Sequence, residues 1–493
     1  MCGFIGSWHP EGRHPETLAA GLAAIAHRGP DGEGWHDMGR VRFGHRRLSI
    51  VDVAGGKQPL FNEDQRLCLV HNGEIYNHRA VLAGLSGVHK PRTHSDGEAW
   101  LHTAEERGPA AAVSQLHGMF ALAGSDGESL CLGRDALGIK PLYWSRHDTG
   151  LIFASEIKAL LPVVPPDTIE VFPPGHVYTS NEGIAPMWRL PAGWADGDQP
   201  RDPAAWADAF LAALDDAVRQ RLMADVPVGV FLSGGLDSSL IAALMRRYVP
   251  ELHSFAVGLP GSNDLERARE VAADLGTIHH EVAISEAELI AALDDVIWHL
   301  ESWDPDLVRS ALPCWFVSRE AAKHVKVVLT GEGADELFAG YAYHRDYHGA
   351  QLHRELRRSI KGLHHINLQR VDRMSMAHGL EARVPFLDTH VVSLALAIPP
   401  DLKLARGFHK FILRQAAARV LSPEIAWRAK EQFDHGTGSA EALRRHFGSA
   451  EREAERYRTI FSARFPAGSE WLVARWEHDR VEPGTTAARR AHV

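Results

Sequence analysis

Two textures of apolar and polar positions divide the chain. From residue 1 to about 185, apolar residues come in short runs separated by glycine-rich turns. Examples are RRLSIVDV (46–53), RLCLVHNGEIY (66–76), MFALAGS (119–125) and GLIFASEIKALL (150–161). Alternation at this length predicts an α+β region with much antiparallel sheet. Residues 186–205 are rich in Pro, Gly and Asp, have little periodicity, and read as a linker. From 206 onward the period changes. AWADAFLAALDDAVRQRLM carries apolar residues at helical spacing, and VPVGVFLSGGLDSSLIAALMRRY reads as buried strand, glycine turn and helix. LHSFAVGL followed by DLERAREVAADLG, and then KVVLTGEGADELFAG, repeat that order. Strands alternating with helices predict a parallel α/β sheet. The tail from about 436 is polar, Arg-rich and weakly periodic, and its last dozen residues are expected to fray.

Composition narrows the classes. A chain of 493 residues suggests two to four domains at about 150 residues each. Forty-five per cent hydrophobic and 24% charged residues exclude a disordered or collagen-like chain. Lys and Arg number 53 against 63 Asp and Glu, a net charge of −10, which argues against nucleic acid or an anionic membrane as partner. No apolar run reaches the length of a membrane span. The cysteines, at 2, 68, 131 and 314, form no CxxC pair, which speaks against structural zinc and fits a reducing compartment. No basic-then-apolar leader is visible, so a cytoplasmic location is the expectation.

The first candidate chemistry lies at Met1-Cys2-Gly3. Methionine removal would leave Cys2 with both a thiol and an α-amine. An α-amine ordinarily titrates at about 7.7–8.0, so it can act as the base for the thiol. AHRGPDGEG (26–34), GHRRLSIVD (44–52), HNGEIYNH (71–78), THSDGE (93–98) and GRDALGIKPLY (133–143) follow in order. A thiol attacking an amide needs donors where negative charge develops, and Asn72 and Gly73 can supply them. Arg47 can clamp a substrate carboxylate in a bidentate fork. Glu74 and Asp96 can take an ammonium group. An Asn-Gly pair is equally a favoured hairpin turn. Taken together, residues 1 to about 185 resemble the class II glutamine amidotransferase domain, an Ntn-hydrolase sandwich of αββα layers. The resemblance implies that Cys2 attacks the glutamine side-chain amide and releases ammonia. It places Arg47, Asn72, Glu74 and Asp96 on glutamine, and Asn72 and Gly73 at the oxyanion.

The second candidate is VFLSGGLDSS (230–239), between a strand and a helix. Paired glycines let the backbone approach an anion, and the helix start favours phosphate. No GKS or GKT follows, so it is not a Walker A loop, and no GxGxxG is present. The bland reading is a tight turn with Ser as N-cap. The motif resembles the PP-loop of the ATP pyrophosphatase family, an adenine nucleotide alpha hydrolase-like parallel-sheet fold. That resemblance implies cleavage of ATP between its α and β phosphates. Ser233, Gly234, Gly235, Asp237, Ser238 and Ser239 then hold pyrophosphate. Asp237 and Asp335 hold Mg²⁺, and Leu232 and Val257 line the adenine pocket. Thr330 and Gly331 lie near the ribose, and Glu332 serves adenylate formation or attack by ammonia.

The whole chain, about 1–435, resembles the family of glutamine-hydrolysing asparagine synthetases. LHSFAVGLPGS (252–262), GLEARVPFLD (379–388) and AWRAKEQFDHGTG (426–438) support that reading. It implies domains at 1–185 and 206–493 around the 186–205 linker, with ATP and Mg²⁺ as cofactors. It also implies glutamine and an acceptor carboxylate, aspartate first among them, as substrates, and a possible homodimer. Ammonia would cross between the sites through an apolar channel. Lys430 and Glu431 can neutralise phosphate and orient the adenylate, and Arg309 can grip a carboxylate or pyrophosphate. Arg383 and Asp388 are candidates for a structural ion pair. One departure stands out: Asp306 and Leu307 replace a pair of threonines, which leaves open an amidotransferase of the same mechanism acting on a different carboxylate.

Overall fold

The computed structural model describes residues 2–147, 150–195, 202–428 and 433–470. Its N-terminal part is two six-stranded sheets packed face to face. One runs, in spatial order, Ile169–Val171, Tyr143–His147, Gly150–Ala154, Cys2–Trp8, Val41–Arg47, Gly32–Met38. The other runs Gly183–Pro186, His176–Thr179, Leu130–Arg134, Gly118–Ser125, Cys68–Ile75, Leu60–Phe61. Neighbouring strands pair antiparallel throughout. Side chains alternate between faces with period two. Phe4 therefore enters the core between the sheets, with Phe43, Val70, Ala121 and Phe153. Ile5, one residue on, packs outward against the helical layer at Leu18 and Leu22. On the opposite outer face Trp100, Leu101 and Val113 cover Leu69 and Leu122. The αββα layering expected from the sequence is present.

The C-terminal part is built on a parallel sheet, in the order Ile278–Ala283, His253–Gly258, Val228–Phe231, Val327–Leu329, Glu381–Arg383. The chain builds outward from Val228–Phe231 in one direction, then returns to its other side. Loops after the central pair of strands therefore face each other at a switch point, where such sheets bind ligands. Val230 is in register with Leu329, so SGGLDSS and TGEGADE are neighbours. One core of Leu, Ile, Val and Phe side chains, including Leu240, Phe255, Val308, Leu329 and Phe386, joins this sheet to its helices.

Two boundaries differ from expectation. The helix expected from 206 begins at Pro203, because Asp202 accepts the Ala204 amide as N-cap and Pro is pre-organised at the first helical position. Residues 187–195 are tied down: Trp194 N–H donates to Leu396 O, and His353 Nε2 lies 2.7 Å from Ala192 O. Residues 196–201 of the linker lie outside the described residues. The tail is also more ordered than its composition predicts. Helices Ser439–Phe447 and Ala450–Arg464 bury Leu443, Tyr457, Ile460 and Phe461. Those apolar positions are sparse, but Tyr457, Ile460 and Phe461 fall on one helical face, Phe461 meets Trp303, and Phe465 just past the helix meets Trp298. The last dozen residues lie outside the described range.

Two candidate active sites and the interface between them

Cys2 opens the strand paired with Val41–Arg47, and it stands opposite Arg47. Its backbone N–H donates to Asn72 Oδ1 at 3.1 Å. That contact fixes the amide plane and leaves Asn72 Nδ2 buried without a partner among the described residues. A buried N–H with no acceptor is costly unless a substrate oxygen completes it. Gly73 follows with φ of +130°, and a Cβ there would lie 1.9 Å from Met119 O. Only glycine can turn the backbone at this point. The Cys2 sulfur is 3.9 Å from Gln58 Nε2 and 4.0 Å from Leu48 O, and burial raises its thiol pKa. Gln58 is itself held like a strand partner: Oε1 accepts the His71 amide at 2.7 Å, and Nε2 donates to His71 O at 3.1 Å.

Arg47 is fastened by the turn that follows it, donating to Val53 O at 3.0 Å and Asp52 O at 2.6 Å. The two carboxylates assigned to an ammonium group are not equivalent. Burial, with Glu381 and Asp96 nearby, pushes Glu74 well above the usual range. Burial also acts on Asp96, but His71 and the Ile75 amide outweigh it and hold that carboxyl low. Asp96 is thus the ionised one of the two, and Glu74 keeps a buried oxygen without a hydrogen-bond partner among the described residues.

In the second site Leu232, Ser233, Gly235, Asp237, Ser238, Val257, Thr330, Gly331, Glu332, Asp335 and Arg309 all line one cavity of about 1140 Å³. Gly234, with φ of +71°, has its backbone against residues 267–268, where a Cβ would come within 2.4 Å of Arg267. Its carbonyl accepts from Arg428. Ser239 is fully buried in the helix Leu236–Met245. Ser233 and Ser238 hydroxyls lie 3.1 Å apart, closing the loop on itself. Lys410 Nζ lies 2.5 Å from Asp237 Oδ2 and 2.6 Å from Asp335 Oδ1. Asp237 Oδ1 remains buried and unpartnered among the described residues. A hard divalent cation, held by carboxylate and phosphate oxygens, fits that donor set. Glu332 is raised by burial, while the Arg370 guanidinium paired with it opposes the shift.

Arg309 touches the cavity, but its fork is taken: Nε and Nη2 bind the Glu453 carboxylate at 2.8 and 2.7 Å. The expected grip on an acceptor is therefore replaced, in this structure, by a bidentate clamp on the tail helix. Asp306 lies on the rim with its side chain 79% exposed, and Leu307 points into the core. Lys430 and Glu431 lie outside the described residues. Arg383 and Asp388 do not pair. Arg383 binds Glu381 and the carbonyls of Arg221 and Met223, whereas Asp388 takes the Arg221 guanidinium and His117. Asp388 caps the helix Thr389–Ala397, which turns its carboxylate away from the sheet strand that carries Arg383.

Between the sites the contacts are both apolar and ionic: Leu48, Ile50, Met119, Leu137 and Ile139 of the N-terminal part join the core of the C-terminal part. Arg28 Nε donates to Cys2 O, and its Nη1 reaches Glu156 at 2.6 Å and Asp372 at 2.8 Å. Arg373 and Lys158 both bind Glu301, at 2.9 and 3.0 Å. All these charged side chains are at most 2% exposed. Glu301 lines the 1140 Å³ cavity, as do Arg370 and Val371 just before Asp372. One helix, Asn367–Met376, thus faces the cavity with its start and Cys2's domain with its middle. Sequence reasoning missed Gln58, Arg28, Glu301, Arg370 and Lys410. Arg28 stands inside AHRGPDGEG without any local sign of its role, the others lie outside the glycine-rich motifs, and only the lone Lys410 beside the apolar run FIL carried a local signal.

An amidotransferase sandwich with an N-terminal thiol, joined to a PP-loop synthetase domain, is the class that this fold and these sites define. The family described as “Glutamine amidotransferase domain” matches residues 1–178, and “Asparagine synthase” matches 209–351 and 347–465. Asparagine synthetase B [glutamine-hydrolyzing] of Escherichia coli (strain K12) is 42% identical over 84% of this chain and 78% of its own length. A probable asparagine synthetase [glutamine-hydrolyzing] of Schizosaccharomyces pombe is 39% identical over 97% of this chain and 96% of its own. Among solved structures, the allosteric regulatory enzyme of purine biosynthesis aligns with 57% of this chain and 80% of its own, at 16% identity and a TM-score of 0.33. The chain belongs to the family of glutamine-hydrolysing asparagine synthetases.

Proposed function

We propose that the chain is an ATP-dependent amide ligase that makes asparagine, glutamate, AMP and pyrophosphate from aspartate, glutamine and ATP. The observation that carries this is the pairing of a positioned thiol and free Asn72 donor with a PP-loop cavity in one family-matched chain. Cys2 attacks the glutamine amide carbon, and negative charge develops on the oxygen against Asn72 Nδ2 and Gly73 N–H. Loss of ammonia leaves a thioester, which water hydrolyses to glutamate. Arg47 and Asp96 hold the two ends of the amino acid, with Glu74 beside them. In the other domain, aspartate's β-carboxylate displaces pyrophosphate from the α-phosphate of ATP. Ammonia then displaces AMP, with Glu332 taking a proton.

Ser233, Gly234, Gly235, Ser238 and Ser239 would hold pyrophosphate, with Leu232 and Val257 at adenine and Thr330 and Gly331 near ribose. Mg²⁺ on Asp237 and Asp335 would neutralise phosphate charge. Lys430 and Arg309 are retained as candidates for phosphate and acceptor, the latter only when Glu453 releases it. We assign residues 1–185 to the glutaminase and 206–493 to the synthetase, with the helix from Pro203 joining the latter. Among the described residues no helix is long and apolar enough to cross a membrane. The four free cysteines suit a reducing cytoplasm, and a homodimer is proposed on the family resemblance.

The test is product analysis with glutamine, Mg-ATP and a panel of carboxylic acids. Aspartate alone should drive AMP release with equal asparagine. AMP released with another acid and not with aspartate overturns the acceptor, and no AMP with any acid overturns the ligase.

A further inference from the structure

Three segments of the N-terminal domain meet at a cluster that the reaction above does not use. Glu63 comes from the turn between Leu60–Phe61 and Cys68–Ile75, His89 from the loop leading to Asp96, and His102 and Glu105 from the helix Glu98–Arg107. His102 and Glu105 are three residues apart and share a helix face. One atom from each of the four lies within 4.8 Å of all the others. His102 Nδ1 is 2.9 Å from Glu105 Oε2 and 3.4 Å from Glu63 Oε2. His89 Nδ1 is 3.3 Å from Glu105 Oε2 and 3.9 Å from Glu63 Oε1. A tetrahedral ion with bonds of about 2.0–2.1 Å sets its ligand atoms about 3.3 Å apart.

The outer atoms are committed as well. His89 Nε2 meets Glu106 at 3.1 Å, and His102 Nε2 meets Glu98 at 3.1 Å. Glu63 Oε1 accepts the Lys90 amide, and Glu105 Oε1 accepts Asn62 Nδ2 at 2.7 Å. Every inward atom is thus aimed by a partner on its far side, the outer shell that orients metal ligands. Each imidazole has a carboxylate at both nitrogens, and a neutral ring has only one N–H to give. A dication accepts both Nδ1 lone pairs and lets each Nε2–H donate to its carboxylate.

We propose that Glu63, His89, His102 and Glu105 form a tetrahedral site for a borderline divalent cation of the zinc class. Two nitrogens and two carboxylate oxygens in a tetrahedron suit zinc over magnesium or calcium. The ion ties the turn at 63 and the loop at 89 to the helix that starts two residues after Asp96. It therefore braces the segment that presents Asp96 to the first site.

The test strips the full chain with a chelator and titrates it with zinc alone in millimolar magnesium, which occupies oxygen-only sites. One tight zinc per chain and a raised thermal midpoint are expected. His89→Gln should weaken zinc binding at least about tenfold and abolish the zinc-dependent rise, while leaving the metal-free midpoint near that of the metal-free parent. Should that variant fail to fold, Glu63→Gln carries the same measurement. His253, His280 and His324 form the other histidine cluster among the described residues, so His253→Asn with His280→Asn is the control, and its zinc binding should be unchanged. No tight zinc on the parent chain, zinc retained at equal affinity in His89→Gln, or zinc lost in the control variant overturns the site.

Discussion

Asp237 and Asp335 grip the same ammonium group: Lys410 Nζ is 2.5 Å from one carboxylate and 2.6 Å from the other. The first lies in the opening turn of the helix after SGG, and the second in the opening turn of the short helix Ala334–Phe338 that follows the adjacent strand. Lys410 is buried, and burial, which would lower its pKa, is outweighed by the two aspartates, which raise it. Gly340 makes room for the contact. A Cβ at that position would lie 1.8 Å from Asp335 Oδ1 and 2.3 Å from Lys410 Cε.

Removing that cation should disable the synthetase and spare the glutaminase. Lys410→Met is expected to cut aspartate-dependent pyrophosphate release by about 10²–10³, with glutamate formation from glutamine retained. Gly340→Ala should act in the same direction by forcing the two side chains apart. Pyrophosphate and glutamate assays on the same preparation check both.

The two half-reactions should separate at the other end too. Cys2→Ala is expected to abolish glutamine-dependent asparagine formation, while ammonia-fed turnover at raised pH survives. Asn72→Ala should lower glutamine kcat by about 10²–10³, the usual loss for one oxyanion donor. Steady-state kinetics with each nitrogen source distinguishes the cases.

Arg28 should matter for both stability and coupling. It is fully buried against Glu156 and Asp372, and truncation strands those carboxylates at a cost of about 3–5 kcal/mol. Arg28→Met should therefore lower the thermal midpoint. It should also raise the ratio of glutamate to asparagine above one, because ammonia escapes at the loosened interface. Calorimetry and product ratios read the two effects independently.

Lys403 predicts a pH dependence. It is fully buried, its Nζ finds no hydrogen-bond partner among the described residues, and burial pushes its pKa down to about 7. The unfolded chain keeps that proton up to about 10.4. Between those values the unfolded state binds more protons, so this group's contribution to stability rises with pH. Below pH 7 the buried charge is borne in full. Lys403→Met should be more stable than the parent by on the order of a few kcal/mol at pH 6, with the gain shrinking toward pH 10. Denaturant melts across that range test it.

The sequence alone determined the two folds and the residues at each glycine-rich turn. Alternation with period two yields a sandwich, strand–turn–helix repeats yield a parallel sheet, and both signals are local. Cys2, Asn72, Gly73, Ser233 and Asp237 stood out because their chemistry depends on neighbours in the chain. Charge pairing is not local. Nothing in GLEARVPFLD says that Arg383 turns to Glu381 while Asp388 turns to Arg221, or that Arg309 is claimed by Glu453. Lys410 between two aspartates, Arg28 beneath Cys2, and the four ligand atoms around His102 are likewise products of packing. Long side chains reach partners that only the folded backbone brings within a few ångströms, and burial, which sets the strength of each pair, does not exist until the core has closed.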